Sequence, residues 1–341
     1  MPGDGVIVLD PHPRKVEVIF SPEDKARLEK IAHVAWHDGS PATDAHIDAL
    51  LPEMVALVGQ TALPKERLDR APNLRAICNV EGNFLPNIEY DECFRRNIAV
   101  LGCATAFAPA VAELALGLTL AAARGIVDGD NAFRAGNELY GGASNAESFL
   151  LKGQTFGLLG CGNVGRAILP LLRPFAKEIL VHDPWLHPHA LEDLGVTPVG
   201  LDELLKRSRV VYLIAPATTE NQRGLRMSHW QSMQRGSIVL LVGRSEVVDF
   251  DEFLDAAASG QIKACMDVFP QEPLAKDHRA RKTPNTILSA HRAGGIPETY
   301  RQIGRMVVDD LELVLRGLAP QRMMRAAPET VSRYRSKPVK G

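Results

Sequence analysis

The chain is poor in anything that would staple, anchor or strongly charge it. Its five cysteines (Cys78, Cys93, Cys103, Cys161 and Cys265) are scattered, odd in number and free of any CxxC pair. That argues against a disulfide framework and against a zinc site, so no metal is expected. A net charge of -2 gives no global attraction for nucleic acid or an anionic membrane. No apolar run approaches the roughly 18 residues of a membrane span, so no membrane partner is expected. The opening "MPGDGVIVLDPHPRK" lacks a basic segment followed by a long apolar core, so it does not read as a signal peptide, and a cytoplasmic location is expected. Short-period repeats and low-complexity linkers are missing too.

What is present is ordinary globular material: 341 residues, 45% hydrophobic and 23% charged, which suits two domains. Short apolar runs alternate with helical patterns. "VIVLD", "HVAWH", "MVALVG", "LRAICNV" and "IAVLG" read as buried strands in the first part. "EILVHD", "VVYLIA", "SIVLLVG", "IKACMDVF" and "NTILSAH" continue the series further on. Between them, Ser21, Pro22 and Asp24 mark one helix start, and Asp249 with Glu252 marks another that ends at Gly260. Repeated strand–helix units predict an α/β fold with parallel sheets covered by helices on both faces.

Two stretches break the rhythm. "APAVAELALGLTLAAARG" and "IPETYRQIGRMVVDDLELVLRGL" read as long helices with no strand between turns. The chain would leave a first domain along one and return along the other. This predicts a domain at 104–293 inserted into a domain made of 1–103 and 294–341. The final stretch, "PQRMMRAAPETVSRYRSKPVKG", is locally basic. With no aromatic or groove-reading motif beside it, it reads as a solvated or partner-docking arm, not a nucleic-acid contact.

The most legible segment is "LKGQTFGLLGCGNVGRAIL". A strand, a G-x-G-x-x-G turn (Gly160, Gly162, Gly165) and an amphipathic helix follow one another. Gly160 would allow the sharp turn, Gly162 the approach of a pyrophosphate, and Gly165 close helix–strand packing. The helix beginning near Asn163 would point free N–H groups at the phosphates. Asp183 ends the next strand, 23 residues after Gly160, near the usual spacing of an acid that binds the ribose hydroxyls. No arginine follows it in "PWL", so NAD is favoured over NADP. Cys161, inside the turn, reads as a small filling residue before it reads as an oxidisable thiol.

Charged residues also stand at the ends of later strands: Arg244 in "LLVGRSEVVD", Asp267 and Glu272 in "CMDVFPQEPL", His291 in "LSAHRAGG". In an open parallel sheet, ligands bind beyond the carboxyl ends of the strands, so these groups emerge on the cofactor's edge.

The glycine turn, "LDELLKRSRVVYLIAPAT", "RSEVVD", "DVFPQEP" and "AHRAGG" occur in an order that resembles the D-isomer-specific 2-hydroxyacid dehydrogenase family, over about 300 residues. That resemblance implies a flavodoxin-like substrate domain interrupted by a Rossmann-like NAD-binding domain, joined by two hinge helices. It implies an NAD-dependent oxidoreductase interconverting a small 2-keto acid and the (D)-2-hydroxy acid. His291 would be the proton donor and acceptor, a task that suits imidazole near neutral pH. Glu272 would hold the imidazole, and Arg244 would polarise the carbonyl and clamp the carboxylate. Asn163, Val164, Pro216, Gly243 and Asp267 would join the glycines and Asp183 on the cofactor side. A homodimer is implied, with the first long helix contributing.

The substrate loop departs from the family pattern. "NVEGNFLPNIEY" keeps Gly82 but places Glu81 before it and Pro86 where an acid is frequent, while Phe84 and Leu85 add apolar bulk. Glu81, Gly82 and Asn83 are the candidate substrate contacts. Glu81 would bind a hydroxyl or amine, or cap the turn; facing the pocket, it would disfavour strongly anionic substrates. Arg292, beside His291, would favour a second carboxylate if it shared the pocket, although adjacent side chains diverge on a strand. Two other readings compete: oxidation of a non-carbon acid such as phosphite, and an NAD-sensing binding protein of the same fold.

Overall fold

The computed structural model describes residues 3–333. The last eight residues of the basic C-terminal stretch, 334–341, lie outside the described residues. The chain divides into two compact units, Met1–Phe107 with Gly295–Gly341, and Ala108–Gly294.

The first unit is built on β1 (Gly3–Asp10), β2 (Ala32–Trp36), β3 (Met54–Gly59), β4 (Ala76–Asn79) and β5 (Ala99–Gly102). They pair in parallel in the order β5-β4-β3-β1-β2, the flavodoxin-like arrangement. Every residue of β3, β4 and β5 is buried, as continuous apolar runs require when helices cover both faces. The helix Pro22–Ile31 starts where its sequence dictates. The Asp24 N–H donates to Ser21 Oγ at 3.1 Å and the Ser21 N–H to Asp24 Oδ2 at 3.2 Å, a reciprocal cap.

The second unit carries β6 (Gln154–Leu159), β7 (Ala176–His182), β8 (Thr197–Pro198), β9 (Val210–Leu213), β10 (Ser237–Leu241), β11 (Ile262–Met266) and β12 (Thr286–Leu288). All pair in parallel, in the order β12-β11-β10-β9-β6-β7-β8. This is the Rossmann order with one strand added at the edge. Alternate residues face opposite cores: Phe156, Leu158, Tyr212 and Leu240 enter one, and Val211, Leu213, Val239 and Leu241 the other.

The helix Ala104–Arg124 corrects one expectation. By length and composition it is apolar enough to cross a membrane, with mean hydropathy 1.7, where the sequence was expected to hold no such run. Its alanines let it lie close to the second unit's core, where Ala112, Ala115, Ala122 and Ala123 are buried. There Thr119 Oγ1 donates to Ala115 O at 2.8 Å and lies 2.7 Å from the buried Tyr212 hydroxyl.

A last short strand, β13 (Met324–Arg325), pairs antiparallel with β5. The described part of the basic stretch therefore joins the chain's own sheet and is no free arm. Asp310, fully buried on the helix Pro297–Val314, explains why. Its carboxylate accepts the backbone N–H groups of Gln321 (2.7 Å), Arg322 (3.0 Å) and Met323 (2.7 Å), fixing the turn into β13.

Candidate active site

Because β6 to β12 all run the same way, the residues following them share one edge. Gly160 follows β6, Asp183 follows β7, Pro216 lies beyond β9, and Gly243 and Arg244 lie beyond β10. Asp267 follows β11, and His291 lies three residues beyond β12.

The glycine turn has the shape a dinucleotide requires. Gly160 has φ +94°, and a Cβ there would sit 2.9 Å from Ala215 Cα. At Gly165 a Cβ would meet Gly160 O at 3.1 Å, so helix and strand pack closely only because it is glycine. At Gly162 a Cβ would meet nothing within 4 Å. That open space lies over the start of the helix Asn163–Leu172, which has no side-chain cap. A side chain at position 162 would fill the cradle where a pyrophosphate approaches the helix. Val164 and Asn163 open that helix, half-buried. The residues present fit the cofactor.

Asp183 is half-buried and orders this turn. Its Oδ2 accepts the Cys161 N–H at 2.8 Å and its Oδ1 the Trp185 N–H at 3.0 Å. A cavity of about 400 Å³ opens beside it, lined among others by His182, Leu186, Val199 and Glu203. Cys161 is buried, and desolvation pushes its thiol up, against the pull of Arg166 and with a further push from Asp183. At neutral pH it stays protonated, which favours the filling role over reactivity.

His291 and Glu272 form a dyad. Imidazole Nδ1 lies 2.6 Å from Glu272 Oε2, and Glu272 Oε1 accepts the Phe269 N–H at 2.9 Å. A carboxylate only accepts, so Nδ1 is the donor and Nε2 is left for chemistry. His291 adopts φ +48°, a left-handed conformation that costs a non-glycine residue about 1–2 kcal/mol. Asp267 holds it there. Its carbonyl accepts the His291 N–H at 2.7 Å, and its carboxylate accepts the N–H groups of Arg292 and Ala293, both at 3.1 Å. Asp267 is 1% exposed, so its side chain shapes the histidine loop. Arg292 itself is exposed. Arg244, half-buried, donates from Nη1 to Gly243 O at 2.8 Å. Gly243 is held by its N–H to Leu213 O at 2.9 Å and passes close to Ile214, 2.8 Å from where a Cβ would stand. Pro216 accepts Asn221 Nδ2 at 2.8 Å.

In the first unit, Glu81, Gly82 and Asn83 form the loop after β4. Asn79, buried at the end of that strand, sets its shape. Its Oδ1 accepts the Glu81 N–H at 2.7 Å and its Nδ2 donates to Asn83 O at 2.8 Å. Among the described residues, the Gly82 and Asn83 N–H groups have no partner. Phe84 and Leu85 turn into the core, 5% and 4% exposed; their bulk fills the unit's interior and not the loop's open side. Glu81 is buried and ion-paired to Arg14, Nη2 to Oε1 2.7 Å. Sequence reasoning missed Arg14 and Asn79. An Asn two residues before a turn residue is a visible signal; the pairing of Arg14 with Glu81 is made by topology alone.

A Rossmann-ordered sheet with a fitting dinucleotide turn and a His–Glu dyad on the same edge defines a nicotinamide-dependent dehydrogenase. Comparison with known proteins gives the particular family. The family description "D-isomer specific 2-hydroxyacid dehydrogenase, NAD binding domain" matches residues 116–293. A glyoxylate reductase of Thermofilum pendens is 31% identical over 265 residues, covering 75% of this chain and 76% of that protein. A D-3-phosphoglycerate dehydrogenase of Mycobacterium leprae is 28% identical over 86% of this chain, which spans 54% of that protein's length. The crystal structure of a phosphoglycerate oxidoreductase from Rhizobium etli superposes with TM-score 0.84 at 40% identity, covering 96% of this chain and 99% of the other. The chain belongs to the D-isomer specific 2-hydroxyacid dehydrogenase family, and is an NAD(P)-dependent oxidoreductase.

Proposed function

We propose that this enzyme interconverts a small 2-keto acid and the corresponding (D)-2-hydroxy acid, with His291 as the proton donor in reduction. The observation that carries this reading is the 2.6 Å contact of His291 Nδ1 with Glu272, on the sheet edge that bears the glycine turn. A bound reduced nicotinamide supplies the hydride. Imidazole Nε2 delivers the proton to the carbonyl oxygen, while Glu272 fixes the ring and stabilises the charge that the transfer leaves behind. Arg244 polarises the carbonyl and holds the substrate carboxylate. Within the first unit, the Gly82 and Asn83 N–H groups offer donors to an anion. NAD is favoured over NADP, since Asp183 and Glu203 both line the cavity beside the turn and, among the described residues, no lysine or arginine does.

Similarity to a glyoxylate reductase and to phosphoglycerate dehydrogenases supports small substrates. The test is loss of NADH absorbance with a panel running from glyoxylate, hydroxypyruvate and pyruvate to bulkier apolar and dicarboxylic keto acids. Turnover of a small member, with (D)-product and with NADH preferred to NADPH, is the expected outcome. No turnover of any keto acid, with NADH still bound, would refute the proposal and bring phosphite oxidation or NAD sensing forward.

A homodimer is also proposed. The helix Ile126–Arg134 buries none of its residues, and Ile126, Phe133, Leu139, Tyr140 and Leu150 are all exposed around it. Apolar side chains this concentrated mark an interaction surface, and the family resemblance points to a second copy.

A further inference from the structure

We propose that the Arg14–Glu81 ion pair sets the substrate's charge class: it makes the substrate loop electrically neutral, so the enzyme selects 2-keto acids with one carboxylate and no second anionic group. This rests on the keto-acid reading above. Glu81 immediately precedes the two N–H groups that have no partner among the described residues. An uncompensated carboxylate there would repel any anionic substrate. Arg14 removes that repulsion. Its Nη2 lies 2.7 Å from Glu81 Oε1, with the two side chains only 17% and 10% exposed.

Arg14 is also fixed in place. Its guanidinium carbon lies 4.7 Å from the Tyr300 ring centroid and 5.6 Å from that of Phe107, cation–π contacts that gain strength away from water. Its Nε is buried and has no partner among the described residues. Such a pre-organised arginine fork is what binds a carboxylate or phosphate bidentately. Glu81 occupies it. The same arginine therefore has two consequences: paired, it cancels Glu81; released, it would bind a second anion. The earlier expectation that Glu81 repels anionic substrates took its charge as uncompensated, and the pair replaces it with a sharper rule.

The experiment compares glyoxylate with oxaloacetate as substrates of the full-length enzyme with NADH. Four proteins are measured: wild type, Glu81→Gln, Arg14→Gln and the double variant, with thermal melts followed by circular dichroism confirming that each is folded. The wild type is expected to prefer glyoxylate. Glu81→Gln should raise the oxaloacetate-to-glyoxylate ratio of kcat/KM roughly tenfold or more by lowering KM for oxaloacetate. Arg14→Gln should raise KM for glyoxylate roughly tenfold with kcat little changed, because a buried charge is left unpaired. The double variant should recover the glyoxylate KM and lose the oxaloacetate gain. Arg14→Lys, which keeps the charge but loses the planar fork and its ring stacking, should raise the glyoxylate KM less than Arg14→Gln does.

An unchanged ratio in Glu81→Gln, or an Arg14→Gln defect that the double variant retains in full, would overturn the proposal and leave the pair a purely structural contact. A wild type that reduces no 2-keto acid would instead overturn the functional reading, and this proposal with it.

Discussion

At the scale of single residues, the histidine proposed as proton donor is held in an unfavourable conformation by the backbone contacts of a buried neighbour. His291 sits at φ +48°, and Asp267 accepts its N–H and those of the next two residues. Asp267→Ala would strand two loop N–H groups, at about 1–3 kcal/mol each. We expect a loss of about 2–6 kcal/mol in chemical denaturation and a kcat at least roughly tenfold lower, with NADH affinity retained. Full activity in this variant would show that the loop needs no such support. Glu272→Gln keeps an acceptor for Nδ1 but removes the negative charge. Here kcat should fall roughly 10- to 100-fold with KM little changed, and steady-state kinetics would read this directly. The positions of His291, Glu272 and Arg244 beyond strand ends were legible in the sequence because each sits in a local motif there. Asp267 was read as a residue on the cofactor side; its part in shaping the histidine loop lies in backbone contacts that no pattern of side chains reveals. Arg14 was illegible, since the contact that gives it meaning is made between two distant loops.

At the scale of elements, long apolar runs were readable and two-residue strands were not. β3, β4, β5, β9 and β10 announced themselves by apolar runs that bury four or more consecutive residues, and the capped helices by Ser21 and Asp249. β8 and β13 are too short to carry a period, and β13 sits in a basic stretch that reads as exposed. What places β13 is a single buried carboxylate. Asp310→Ala would leave three backbone N–H groups without their acceptor, and we expect about 3 kcal/mol or more of destabilisation. Amide exchange at Gln321, Arg322 and Met323 would localise it; unchanged protection there would contradict this account. The glycine turn shows the opposite case, because the steric demands at Gly160 and Gly165 follow directly from the motif.

At the scale of the molecule, the five cysteines mark an interior closed to reagents. All are buried, and burial raises every one of their thiols, Cys93 and Cys265 to about 12. A thiol whose folded pKa exceeds its unfolded value of about 8.5 stabilises the fold below that pH. This contribution is lost as pH rises toward the folded values. A disulfide reagent at neutral pH should therefore titrate none of the five rapidly in the native protein and all five in guanidinium, and stability should fall above about pH 9. The exposed apolar residues around the helix Ile126–Arg134 make the opposite prediction for the surface. Phe133→Asp should convert a dimer to a monomer in sedimentation equilibrium, and a wild type that is already monomeric would refute the dimer.

The central claim is that His291 transfers the proton while other residues hold the cofactor. Its most direct test is a single-turnover measurement on His291→Ala, with NADH binding followed by fluorescence and hydride transfer by absorbance on the keto acid best used by the wild type. We predict NADH affinity within about twofold of wild type and hydride transfer slower by about 10²–10⁴-fold. Transfer at the wild-type rate, or loss of NADH binding in parallel with transfer, would contradict the account.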